Sequence, residues 1–247
     1  MRAFMKLAVV QTKLYLREPM AVFFTLLFGP LMLIMMGFIF GSKPQELLNG
    51  LSQMDVSVPA YIALIVGITG LMSIPIGTTL RRESGVLRRF SATPLKPLIY
   101  FLTDILAPFL VNLMGVALLI VMGLFIYKVR FVGNWFSLFA GVCLCTLSFF
   151  TLGYALAGLF KSARVYTVLG NVIIIPITIL SGAMVPMEVM PKAIRDISLF
   201  DPLTHAVTLL RGLWFGEVWG QHLLELAVLG GMLIISLLVI GLTFKWE

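Results

Sequence analysis

Charge is what this chain has least of. Only 12% of its 247 residues are Asp, Glu, Lys or Arg, against about a quarter in soluble domains; 60% are hydrophobic and mean hydropathy is +1.05. That deficit excludes a soluble domain. The net charge of +7 does not mark a nucleic-acid binder, because it lies between apolar runs, where it orients the chain in a bilayer and meets anionic headgroups. Cysteine is nearly absent too. Cys143 and Cys145 are two apart in an apolar run and diverge on a helix, so they read as inert buried thiols rather than a disulfide or metal site. The two histidines, His205 and His222, read as packing or surface residues near the membrane boundary. No HExxH, GxSxG or carboxylate pair within one apolar run occurs, so no catalytic and no metal residue is assigned. No GxxxxGK[ST] loop occurs either, so if ATP drives this chain, another polypeptide binds the ATP. A secretory leader is not expected, since the first apolar run starts only at Met20 and is too long for a leader core.

What is present is apolar length. Six runs, 20–40, 57–79, 99–127, 135–160, 165–185 and 222–244, each exceed the roughly 20 residues a helix needs to cross the hydrocarbon core. The chain therefore reads as one all-α integral membrane domain over 1–247, with six transmembrane helices. Lys and Arg number twelve on the side that holds both termini and six on the other, which places both termini in the cytoplasm. Gly29-Pro30, Pro75, Pro108 and Pro176 fall inside the runs and predict bends. Gly37 and Gly41, four apart, predict a close helix crossing.

Three segments outside the runs carry pattern. Over residues 1–19, Arg2, Lys6, Lys13 and Arg17 gather within about 60° of a helical wheel, opposite Phe4, Leu7, Leu14 and Tyr15. That is an interfacial elbow helix lying in the headgroup plane; the plainer alternative is a topogenic basic N-terminus. The segment 81–97, RRESGVLRRFSATPLKP, has five cations. On a wheel begun at Arg82, Val86, Leu87 and Phe90 share one arc and Arg82, Arg88 and Arg89 the other, with Glu83 inside the apolar arc. A loop merely resting on lipid would not bury an acid, so this reads as a docking helix for a soluble partner. The segment 186–221 is too polar to span and too apolar for a solvated loop. Two helical patterns, near 189–199 and 203–214, predict an outer hairpin re-entering the membrane, with Trp214, Phe215 and Trp219 at the interface. The alternative is an ordinary surface loop with interfacial aromatics.

Runs two, four and five carry no acid or base in their interiors, and only Asp104 and Glu225 approach membrane depth. That argues against an ion-coupled carrier or a channel and favours amphipathic cargo.

With those residues in view, RRESGVLRRFSATPLKPLIYFLTDIL resembles the stretch after the second span of ABC exporter permeases of the type-2 family. It shares their acidic residue, glycine, basic pair and Thr-Pro-Leu. LSGAMVPMEVMPKAIRDISLFDPLTHAVTLLRGLWFG resembles the family's region after the fifth span, with Ser-Gly, Pro-x-Glu and Asp-Pro-Leu-Thr; Asp201 stands where many members have Asn. The resemblance implies a half-channel in a prokaryotic inner or plasma membrane. It implies a second permease chain, expected to be identical, and two copies of a cytoplasmic ABC ATPase that hold ATP and Mg, this chain binding no cofactor. Carried onto this sequence, Glu83, Gly85, Val86, Leu87, Arg88, Arg89 and Phe90, with Arg82 beside them, would meet that ATPase. The cargo path would run along spans two and five, including Asn171, Ile175 and Thr178. Drug, antibiotic or lipid-like cargo is the expectation, with polysaccharide or lipid-linked glycan export as the alternative and a carrier not driven by ATP more distant.

Overall fold

A computed structural model describes residues 2–41, 50–85, 97–160, 162–185, 187 and 190–243. Among them the chain is all-helical: α1 (Arg2–Leu16), α2 (Pro19–Phe40), α3 (Gln53–Glu83), α4 (Pro97–Ile126), α5 (Trp135–Leu159), α6 (Ala163–Leu180), α7 (Lys192–Ser198), α8 (Pro202–Trp214) and α9 (Leu223–Thr243). The six expected spans are α2 to α6 and α9, all apolar and long enough to cross a bilayer. With an even number of crossings both termini share one end of the bundle, here called the near end.

Their boundaries follow local chemistry. α3 starts four residues earlier than hydropathy indicates, because Ser52 accepts from the Asp55 amide while the Asp55 carboxylate accepts from the Ser52 amide, closing a capping box. Asp55 also accepts from the Arg130 amide at 2.7 Å, tying the far end of α3 to the α4–α5 turn. α6 stops at Leu180 rather than 185, where Gly182 takes φ +80. The expected Gly37–Gly41 crossing is not formed by both glycines. Gly37 makes room for the Tyr127 ring, whereas Gly41 ends α2.

α3 is the mast of the bundle. Every residue from Gln53 to Ile68 is buried, and α3 touches α2, α4, α5, α6 and α8. Tyr61 and Ile65 of α3 share one core with Leu33, Leu119, Leu138, Phe149, Leu210 and Trp214. In lipid such a core is held by close packing more than by the hydrophobic effect, so small residues matter at contacts. A Cβ on Gly153 would lie 2.1 Å from the Gly70 carbonyl, so α5 and α3 meet backbone to backbone there.

The 186–221 region does contain two helices, α7 and α8. Asp201 caps α8 by accepting from the Leu203 amide at 2.9 Å, and burial pushes its carboxyl up to about 6. The His205 ring nitrogen lies 2.9 Å from the Leu199 carbonyl and joins the pair. Trp214 is not interfacial as expected. It is fully buried, because its indole N–H reaches the Arg130 carbonyl at 2.8 Å and its ring meets Phe131 edge-on.

Candidate functional site

The expected docking segment begins on α3 itself. Helical structure runs through Glu83, and Gly85, at φ +71, ends it in the left-handed region. The wheel drawn from Arg82 is therefore broken at Gly85, and Arg82 and Glu83 belong to the end of the mast. Val86, Leu87, Arg88, Arg89 and Phe90, and the rest of the loop to residue 96, lie outside the described residues.

Three consecutive side chains bind this end of α3 to its neighbours. Arg81 pairs with Asp104 of α4 at 2.9 Å, and the Tyr154 hydroxyl of α5 donates to the same carboxylate oxygen at 3.0 Å. Arg82 donates to the carbonyls of Ala157 and Phe160 at the C-terminus of α5. Glu83 accepts from the Ala163 amide, 3.0 Å away, at the N-terminus of α6. A cation thus sits where the α5 dipole is negative and an anion where the α6 dipole is positive, each worth about 0.3–1 kcal/mol. The result is a clamp: the α5–α6 turn is held by two adjacent residues of the arm that leads into the basic loop.

α1 closes the same end. α1 packs on α4 with Gln11 and Tyr15 buried, while Lys13 and Arg17 are exposed; for Arg2 and Lys6 the backbone alone is described. Leu14, on the apolar arc of the wheel, is exposed, as is Val10 one turn earlier. Glu18 faces the Arg81–Asp104 pair, and burial raises its carboxyl, partly offset by Arg81. The cleft among Gln11, Tyr15, Glu18, Arg81, Asp104 and Tyr154 encloses about 10 Å³, the size of one water, so it holds no cargo.

On α6, the residues Ala163, Tyr166, Gly170, Ile174 and Thr178 recur at helical spacing and form the buried stripe against the bundle. Asn171 and Ile175 lie on the open face with Val168, Val172 and Ile179. The fold brings Asn171 and Ile175 together and sets Thr178 apart, its hydroxyl turned to the Ile175 carbonyl. Span two, expected beside them, is enclosed by its own chain over its far half. Sequence reasoning noted Asp104 but missed its partners. The available signal was a tyrosine at membrane depth, whose hydroxyl must find a partner there.

Residues 2–215 match the family model described as ABC-2 type transporter. The chain belongs to the ABC-2 type transporter family. With six apolar helices it is a multi-pass membrane protein of that family. Among similar proteins, the inner membrane transport permease YhhJ of Escherichia coli (strain K12) is 30% identical over 191 residues, 72% of this chain and 50% of that protein. The probable multidrug ABC transporter permease YbhR of the same organism is 21% identical over 160 residues, 65% of this chain and 44% of that protein. Nodulation protein J of Rhizobium leguminosarum bv. viciae is 29% identical over 98 residues, covering 40% of this chain and 38% of that protein. The chain spans about half the length of the curated relatives it matches.

Proposed function

We propose that this chain is the transmembrane subunit of an ATP-driven exporter. It pairs with a second permease, identical in the simplest assembly, and each engages a separate cytoplasmic ATPase that binds ATP and Mg. The observation that carries this reading is that one element, α3, joins the basic loop to the core. Its far half is buried on all sides in the chain's own core, and its near end leads through the Arg82–Glu83 clamp into the loop that carries Arg88, Arg89 and Lys96. A displacement of that loop acts directly on the near-end arm of α3 and, through the clamp, on the start of α6. Loop residues Val86 to Phe90 are the contact surface for the ATPase, with Arg82, Glu83 and Gly85 as its anchored root.

In this reading the termini and the basic loop are cytoplasmic. α1 lies in the headgroup plane with Leu14 toward lipid and Lys13 and Arg17 toward water. The α7–α8 hairpin re-enters from the outside and gates the external mouth. Cargo passes between two copies along the open face of α6, because a bare Asn171 amide is costly in hydrocarbon but not in a path between subunits. The cargo class is amphipathic: a drug, an antibiotic or a lipid-like compound. The name of YbhR supports the drug class, and a lipid-linked glycan is the competing cargo.

Arg88→Glu combined with Arg89→Glu tests the assignment. The variant chain inserts normally but no longer copurifies with the ATPase, and export stops. Unchanged copurification and export, or uptake by the chain alone driven by a proton gradient, would overturn it.

A further inference from the structure

The mast is not one continuous α-helix. Residues Thr69–Ser73 form a π-helical turn, and Pro75 follows at the start of the ten-residue arm Ile74–Glu83. Such turns break the regular ladder and occur often at functional positions. Proline has no N–H, so the Leu71 carbonyl, four residues earlier, loses its α-helical donor. In a membrane that carbonyl needs a replacement. It has one from another helix: the Tyr166 hydroxyl of α6 donates to it at 2.6 Å.

The two sides of this break are held differently. Residues 53–68 are wholly buried, whereas the arm is buried at Ile74, Pro75 and 77–79 and half exposed at Leu80, and it rests mainly on α5 and α6. The break itself is pinned. Gly153 abuts the Gly70 carbonyl, and Thr69 shares a hydrogen bond of 3.2 Å with Thr25, which lies in a second π-helical turn, Phe23–Leu27, and meets the Tyr15 hydroxyl at 2.9 Å. Thr79 bonds back to the Pro75 carbonyl at 2.7 Å, an arrangement that bends helices.

We propose that α3 is hinged at residues 69–75 and that Tyr166 is the positioning residue that latches the hinge. A backbone donor holds one bend, whereas a phenol hydroxyl on a neighbouring helix can follow the carbonyl as the bend changes. Tyr166 and the Ala163 amide gripped by Glu83 are on the same helix, so the arm and the start of α6 swing together against a fixed outer rod. The use made of that swing, transmission of an ATP-driven pull, rests on the function proposed above. The hinge itself does not.

A change in bend of about 20° at the base of the arm moves Leu80, about 9 Å along it, by about 3 Å. Spin labels at Leu80 and Val218 read that movement, and labels at Phe125 and Val218 serve as the fixed reference; all three sites are exposed. The probe is the full chain in phosphatidylethanolamine–phosphatidylglycerol nanodiscs. Tyr166→Phe broadens the Leu80–Val218 distribution on that scale and leaves the reference alone. Pro75→Ala restores the amide and narrows it, and the double variant behaves like Pro75→Ala, because the hydroxyl is then redundant. An unchanged distribution in Tyr166→Phe, equal broadening of both pairs, or no rescue by Pro75→Ala overturns the hinge. With the ATPase bound and trapped by ATP and vanadate, the Leu80–Val218 distance shifts in the wild type and not in Pro75→Ala. A shift that persists in Pro75→Ala also overturns the hinge. No shift in the wild type counts against the ATP-driven reading alone, since the variants in the isolated chain still decide the hinge.

Discussion

Replacing Asp104 with alanine removes the carboxylate oxygen at which the Arg81 guanidinium and the Tyr154 hydroxyl are both directed, on a side chain only 3% exposed. Breaking a buried ion pair from one side costs about 3–5 kcal/mol. Arg81 keeps 20% of its side chain exposed and recovers some solvation, which places Asp104→Ala near the lower bound, about 3 kcal/mol. Asp104→Asn retains an oxygen for both donors and loses only charge assistance, a cost of about 1–2 kcal/mol. Arg81→Ala and Asp104→Ala share the pair, so the double variant falls short of their sum by about 2 kcal/mol. Unfolding of the chain by dodecyl sulfate titration in mixed micelles gives all four free energies. Costs that add within about 0.5 kcal/mol would refute the pairing and mean that each side chain is separately solvated.

Other outcomes follow from single contacts. Gly153→Ala places a Cβ 2.1 Å from the Gly70 carbonyl and should cost about 2–3 kcal/mol in the same titration, because backbone must move. Gly230→Ala, which meets open space, should stay within about 0.5 kcal/mol of the parent. Glu83→Gln keeps an acceptor for the Ala163 amide but removes the anion from the α6 N-terminus, lowering stability by about 0.3–1 kcal/mol; high salt should shrink the difference. Asp201 holds its proton more tightly in the folded chain, with its carboxyl raised from 3.8 to about 6. Its contribution to stability is therefore greatest below 3.8 and falls as pH rises toward 6. Asp201→Asn keeps the cap without the titration, so the difference in Tm between parent and variant should vary across that window and level off above it.

The near-end chemistry was half visible before folding. Arg81, Arg82 and Glu83 stand out as charges beside a long apolar run, and Asp104 as an acid a few residues into another. Nothing in their spacing says that Arg82 finds carbonyls 75 and 78 residues away, or that Glu83 caps a helix 80 residues on. Drawing one wheel across Gly85 merged the end of the mast with the loop that follows it. The wheel assumed a continuous helix, and a glycine at positive φ interrupts it.

The number of crossings, their approximate limits, the helical pair between the fifth and sixth, and the family were all written in the sequence. Hydrocarbon tests each stretch of about 20 residues by its own polarity, so a local reading suffices. Which helix stands at the centre was not. α9 is the more apolar of the two and is mostly exposed, while α3 is less apolar and mostly buried. Lipid tails and protein interiors are equally apolar, so hydropathy cannot rank helices by burial. Only the packing of small residues decided which helix became the mast, and only the fold set the Tyr166 hydroxyl against the Leu71 carbonyl.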